Sequence, residues 1–89
     1  MTQGEVQRRV LEFFARCDEL EPDVFVIADA ATDKGAGLDP PTVYEAIQVL
    51  VDAGLLELDP PHQPVTGLTR VRITPMGKAA VRQWNADRV

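Results

Sequence analysis

One thiol and one imidazole, Cys17 and His62, are the whole of the cysteine and histidine chemistry in this 89-residue sequence. Cys17 falls on an apolar helical face, where a cysteine packs as a small inert hydrophobe. His62 stands in a proline-rich stretch without a catalytic partner at a readable spacing. No Cys-x-x-Cys or His-x-x-x-His pair supplies metal-ligand spacing. Asp18, Glu19, Glu21 and Asp23 gather carboxylates at one turn. They lack the glycine and the alternation of a calcium loop and read as a solvated acidic turn. Gly35-Ala36-Gly37 is too short for a phosphate-cradling loop and follows no strand. The expectation is a chain that is not an enzyme and uses no cofactor or metal.

The remaining chemistry is charge. The net charge is −5 and the sequence pI about 4.6, which argues against a generic nucleic-acid coat. The charge is divided unevenly. Residues 1–61 hold four basic and thirteen acidic residues, whereas residues 62–89 hold Arg70, Arg72, Lys78, Arg82 and Arg88 against Asp87 alone. Two readings follow. The basic third pairs internally with the acidic body, or it meets an anionic partner.

Composition bounds the scaffold. A hydrophobic fraction of 45% and a charged fraction of 26% are globular values. Folding a chain of this size buries roughly two-thirds of its surface, enough for one modest core. A single domain over 1–89 is expected. A lone cysteine excludes a disulfide scaffold. No apolar run approaches the roughly 18 residues of a membrane span, so no membrane partner is expected. The N-terminus lacks a charged-then-apolar signal pattern, and a cytoplasmic location is the default expectation.

Hydrophobic periodicity supplies the elements. Val6, Val10, Phe13, Phe14 and Cys17 make one face of a helix over 3–20. Asp23 as N-cap, with Val24, Ile27, Ala28 and Ala31 facing inward, gives a short helix over 23–31, although the run Val24–Ile27 equally suits a strand. A loop covers 32–38, where glycines permit a sharp change of direction. A clear helix covers 39–53, with Pro41 in its first turn and Val43, Ile47 and Leu50 as its stripe. Gly54 ends it in a left-handed conformation. Residues 55–59 and 68–74 alternate as a two-stranded hairpin. Thr69, Val71 and Ile73 share one face, and Leu68, Arg70 and Arg72 the other. The connection 60–67 carries three prolines and is stiff. Thr74 caps a last helix over 75–86, with Met76, Ala80 and Trp84 toward the body.

This order, with its motifs, resembles a winged helix-turn-helix domain of the small bacterial regulator kind: mainly α with a small β-hairpin. The residues that carry the resemblance are Thr42, Val43, Ile47, Leu50, Ala53, Gly54 and Leu55. A second carrier is Ile73-Thr74-Pro75-Met76-Gly77-Lys78-Ala79, similar to the stretch that leaves the wing and opens the last helix in such proteins. The resemblance implies duplex DNA as partner, a homodimer and transcriptional regulation. It lays helix 39–53 in the major groove and sets the wing, 57–72, on the backbone.

The implied contact residues are Thr42, Tyr44, Glu45, Gln48 and Val49 on the helix, with Arg70, Arg72, Lys78 and Arg82 for phosphate. None of the helix residues is basic, and Glu45 and Asp52 oppose phosphate. Gln48 suits an adenine edge and Glu45 a cytosine amino group. If all four cations met phosphate, a dimer would neutralise about eight phosphates, for a logarithmic salt slope of roughly −7. The competing expectation pairs Arg70 and Arg72 with Glu57 and Asp59 across the hairpin. The alternative function is an acidic winged-helix module that binds protein through Tyr44, Val49, Val51 and Trp84. A dimer contact through Phe13, Phe14 and Trp84 is a further expectation.

Overall fold

Thr2 opens the first helix, its hydroxyl accepting the Glu5 N–H at 3.2 Å. The computed structural model describes residues 2–87, so Arg88 lies outside the described residues. Helix α1 runs Gln3–Leu20 and buries Val10, Leu11 and Phe14. Phe13 meets Phe14 edge-on, with ring centroids 5.1 Å apart.

The segment read as a helix over 23–31 is not one. Val26–Ile27 form a strand, β1, and Ala28–Ala31 a single 3-10 turn. Asp23 is left-handed (φ 65°) and caps nothing; its own N–H donates to the Asp18 carboxylate at 3.2 Å. The β-branched and aromatic run Val24–Ile27 follows strand propensity because a partner edge is available. Ala28 and Ala31 are buried as expected, whereas Val24 and Ile27 are exposed. The loop at 32–38 contains a π-helical turn over Thr32–Ala36. Gly37 makes the change of direction at φ 71°. Gly35 serves closeness instead: a Cβ there would lie 2.7 Å from the Phe13 ring.

Helix α2 (Pro40–Asp52) is capped by Asp39, which accepts the Thr42 N–H, and it buries Val43, Ala46, Ile47 and Leu50. At its end the Leu55 N–H bonds the Leu50 carbonyl and the Gly54 N–H bonds the Val51 carbonyl. That is a complete Schellman closure, with Gly54 at φ 80°. Strands β2 (Leu56–Asp59) and β3 (Arg70–Ile73) follow, and the sheet is three-stranded and antiparallel in the order β1-β3-β2. The expected two-stranded hairpin is thus extended by β1, with Val26 opposite Val71 and Ile27 opposite Arg70. Leu56, Leu58, Val71 and Ile73 turn to the core.

Helix α3 (Pro75–Asp87) begins at Thr74, whose hydroxyl accepts the Gly77 N–H at 3.1 Å and donates to the Gly54 carbonyl at 2.7 Å. The two stretches that carry the sequence resemblance are therefore bonded to each other. Gly77 and Val81 face the body, and Met76 does not: it is 61% exposed. The close approach at Gly77 rotates α3 so that position 76 points outward; a Cβ on Gly77 would lie 2.2 Å from the Leu55 carbonyl oxygen. The chain is mainly helical, and no helix among the described residues is long and apolar enough to cross a membrane.

Candidate functional site

The β2–β3 register decides the fate of the hairpin cations. Glu57 stands opposite Arg72 and Asp59 opposite Arg70. Both pairs lie on the outer face, because the alternate residues fill the core. Arg72 donates from Nε to Glu57 Oε1 at 2.7 Å, and its Nη2 bonds the same oxygen. Its Nη1 reaches the Asp23 carbonyl at 3.4 Å. Its guanidinium also stacks on Phe25, 4.4 Å from the ring centroid. Arg70 is held more loosely, 3.5 Å from Asp59 Oδ2 with its side chain 59% exposed.

Lys78 Nζ lies 2.8 Å from Asp18 Oδ2. This contact, the Asp23 N–H and the nearby Arg72 charge hold the Asp18 carboxyl below its ordinary value, with the Lys78 bond the largest cause. One of the four clustered carboxylates is thereby committed to α3. Arg82, one turn beyond Lys78, is exposed and in no ion pair with a described residue. The structure therefore does not assemble Arg70, Arg72, Lys78 and Arg82 into one unpaired patch.

Helix α2 presents few uncommitted polar groups. The Thr42 hydroxyl donates to Asp39 at 2.7 Å, and this bond holds the Asp39 carboxyl below its ordinary value. The Gln48 amide donates to Asp52 at 3.1 Å. The Tyr44 hydroxyl donates to Asp29 Oδ1 at 2.7 Å. That bond raises the Tyr44 phenol, with a smaller push from burial and from the Asp29 charge. Gly67 packs against the same junction, where a Cβ would stand 2.9 Å from the Tyr44 oxygen. The 60–67 connection thus folds back toward α2. Val65 packs on the core, and the Thr66 N–H bonds the Thr69 hydroxyl at 2.8 Å.

Glu45 and Val49 remain open on the outer face of α2, Val49 at 42% exposure. Met76 adjoins its C-terminal end, with its sulfur 3.9 Å from a Cβ built on Gly54. Val51 packs against the core, as does Trp84, over which Arg8 stacks at 5.1 Å. Phe14 is buried and Phe13 packs beside it, so these aromatics complete the core of one chain. Cys17 is a half-buried free thiol whose pKa burial pushes up, against a smaller opposing effect of Arg16. His62 is exposed, at φ 63°.

Sequence reasoning missed Phe25 and Asp29, and it turned the exposed Met76 inward. Each acts through a tertiary neighbour, and only Phe25 carried a signal, as an aromatic in a strand-like run. No family model matches the chain, and comparisons with curated proteins and with solved structures return no match.

Proposed function

We propose that this chain is an acidic winged-helix module that docks a protein surface on the outer face of α2. The observation that carries the reading is the composition of that face. Glu45, Gln48, Val49 and Asp52 recur at helical spacing, with exposed Met76 at one end, and no cation is among them. An apolar centre with an anionic rim fits a partner that is apolar with basic flanks. It repels phosphate, whose neutralisation supplies most DNA affinity.

A second reading, a DNA-binding homodimer in transcriptional regulation, draws on one observation. The Arg70–Asp59 contact, at 3.5 Å and exposed, is loose enough for a phosphate to displace. An amide NMR titration with a generic duplex at low salt separates the two. Protein docking predicts silence at Arg70, Arg72 and α2. Shifts there that fade with added salt would overturn it. A Lys-flanked amphipathic helical peptide is the positive probe, with shifts expected at Glu45, Val49 and Met76 and lost in Glu45→Lys/Asp52→Lys.

A further inference from the structure

A second surface lies away from the α2 face, where the sheet ends. Strand β1 is an edge: its one sheet neighbour is β3. Val26 opposes Val71, and in the same parity the Ala28 N–H bonds the Thr69 carbonyl at 2.8 Å. Antiparallel alternation then turns the N–H groups of Phe25 and Ile27 and the Phe25 C=O away from β3, while the Ile27 C=O, at the N-cap of the 3-10 turn Ala28–Ala31, closes that turn. Beside this edge runs a groove of about 210 Å³ lined by Cys17, Leu20, Glu21, Val24 and Val26. Its walls are open, with Leu20 at 83% exposure and Val24 at 44%, and Ile27 on the other face of the strand is 46% exposed.

We infer that this edge and groove take an extended segment of a partner protein, added as a fourth strand. The strand period fits the surface. Alternate side chains of an added strand would fall over Leu20 and Val24, and the others beside Phe25 and Ile27. Charge selects the partner. Glu21 lines the groove and Asp23 is exposed next to Val24; neither forms an ion pair with a described residue, so a Lys or Arg flank is favoured at that end, whereas Glu19 lies on the α3 side of α1. A second copy of this chain is disfavoured as the occupant. Antiparallel β1–β1 pairing would bring Glu21 and Asp23 of one copy toward exposed Asp29 of the other, with like charges facing. The segment is therefore basic-flanked, alternating in apolarity and free of proline. This inference does not depend on the α2 reading.

The test is an amide NMR titration of the intact chain with a Lys-flanked peptide of alternating Val and Thr, about eight residues long. Saturable shifts are expected at Phe25, Val26 and Ile27, with hydrogen exchange slowed at least several-fold at Phe25 and Ile27. The α2 amides should stay still, which separates this result from the α2 proposal. A peptide with proline at its centre cannot pair and should lose the shifts. Val24→Lys, a surface change that removes the apolar wall and repels the flanking lysines, should weaken binding at least tenfold while leaving the rest of the spectrum in place. Silence up to about 1 mM peptide, a floor of millimolar affinity, would overturn the inference. So would equal shifts with the proline peptide. Shifts at β1 that grow with protein concentration alone, with a dimer mass, would assign the edge to a second copy and also overturn it.

Discussion

Thr74 is the residue whose removal most directly tests how the last helix is held. Its hydroxyl accepts the Gly77 N–H as the cap of α3 and donates to the Gly54 carbonyl. The Thr74 N–H also bonds the Leu55 carbonyl at 3.1 Å. Thr74→Ala leaves the backbone bond and deletes both side-chain bonds. Loss of an N-cap costs about 1 kcal/mol. The Gly54 carbonyl loses a hydrogen bond worth about 0.5–1.5 kcal/mol, toward the low end because water can replace it. The sum is about 1–2 kcal/mol, or a fall in Tm of roughly 5–15 °C for a domain of this size. Urea and thermal unfolding followed by circular dichroism measure it. Thr74→Ser, which keeps the hydroxyl, should lose less than about 0.5 kcal/mol. If the alanine variant matched the serine variant, the two bonds would not be what joins α3 to the end of α2.

Other perturbations address separate contacts. Gly77→Ala should destabilise by about 3 kcal/mol, because its Cβ collides with the Leu55 carbonyl oxygen and Ile73; equilibrium unfolding reports it, and a loss under about 1 kcal/mol would show that α3 can slide. Asp18 and Asp39 have lowered pKa values. Their contributions are thus present above about pH 4 and fade as pH falls through the folded values. An acid titration of stability should flatten in Asp18→Asn, and a double-mutant cycle with Lys78→Met should give a coupling of about 0.5–1 kcal/mol. Tyr44 is raised, so its contribution is complete below about pH 10 and lost as pH rises through the folded value. Near-ultraviolet absorbance should show the phenol ionising late in the native chain and closer to its ordinary value in Asp29→Ala, which removes both the bond and the charge.

What was legible in the sequence divides by range. The bounds of α1, the stripe of α2, the left-handed Gly54 and the cap at Thr74 are local signals, each set by a few neighbouring residues. The pairing of Arg72 with Glu57 was legible as one of two alternatives, since period-two alternation places charge opposite charge once a hairpin exists. The stretch 23–31 was not legible. Val24–Ile27 satisfies helix and strand periods alike, and the deciding partner, β3, is remote in sequence. The same distance hid Asp29 beneath Tyr44 and Asp18 beside Lys78. Met76 was placed inward by four-residue spacing, because spacing alone does not reveal that Gly77 must lie against Leu55.

The ion pairs also alter what DNA binding would look like. Arg70, Arg72 and Lys78 reach phosphate only by leaving Asp59, Glu57 and Asp18. Breaking the exposed Arg70–Asp59 pair costs at most about 1 kcal/mol, whereas the part-buried Arg72 and Lys78 pairs cost more, so the exchange is cheapest at Arg70. The uncovered carboxylates matter more. Each stays within a Debye length of about 10 Å of the phosphate its former partner binds. Four neutralised phosphates per subunit are then offset by three exposed anions, for an effective neutralisation near one. The logarithmic salt slope for a dimer falls from roughly −7 to about −2. Fluorescence anisotropy of a labelled duplex over a salt series measures the slope. A value near −7 would refute this reasoning, since it requires all four cations at phosphate and the released carboxylates out of reach. A slope near −2, or no binding, follows from Arg70, Arg72 and Lys78 being held by the chain's own carboxylates.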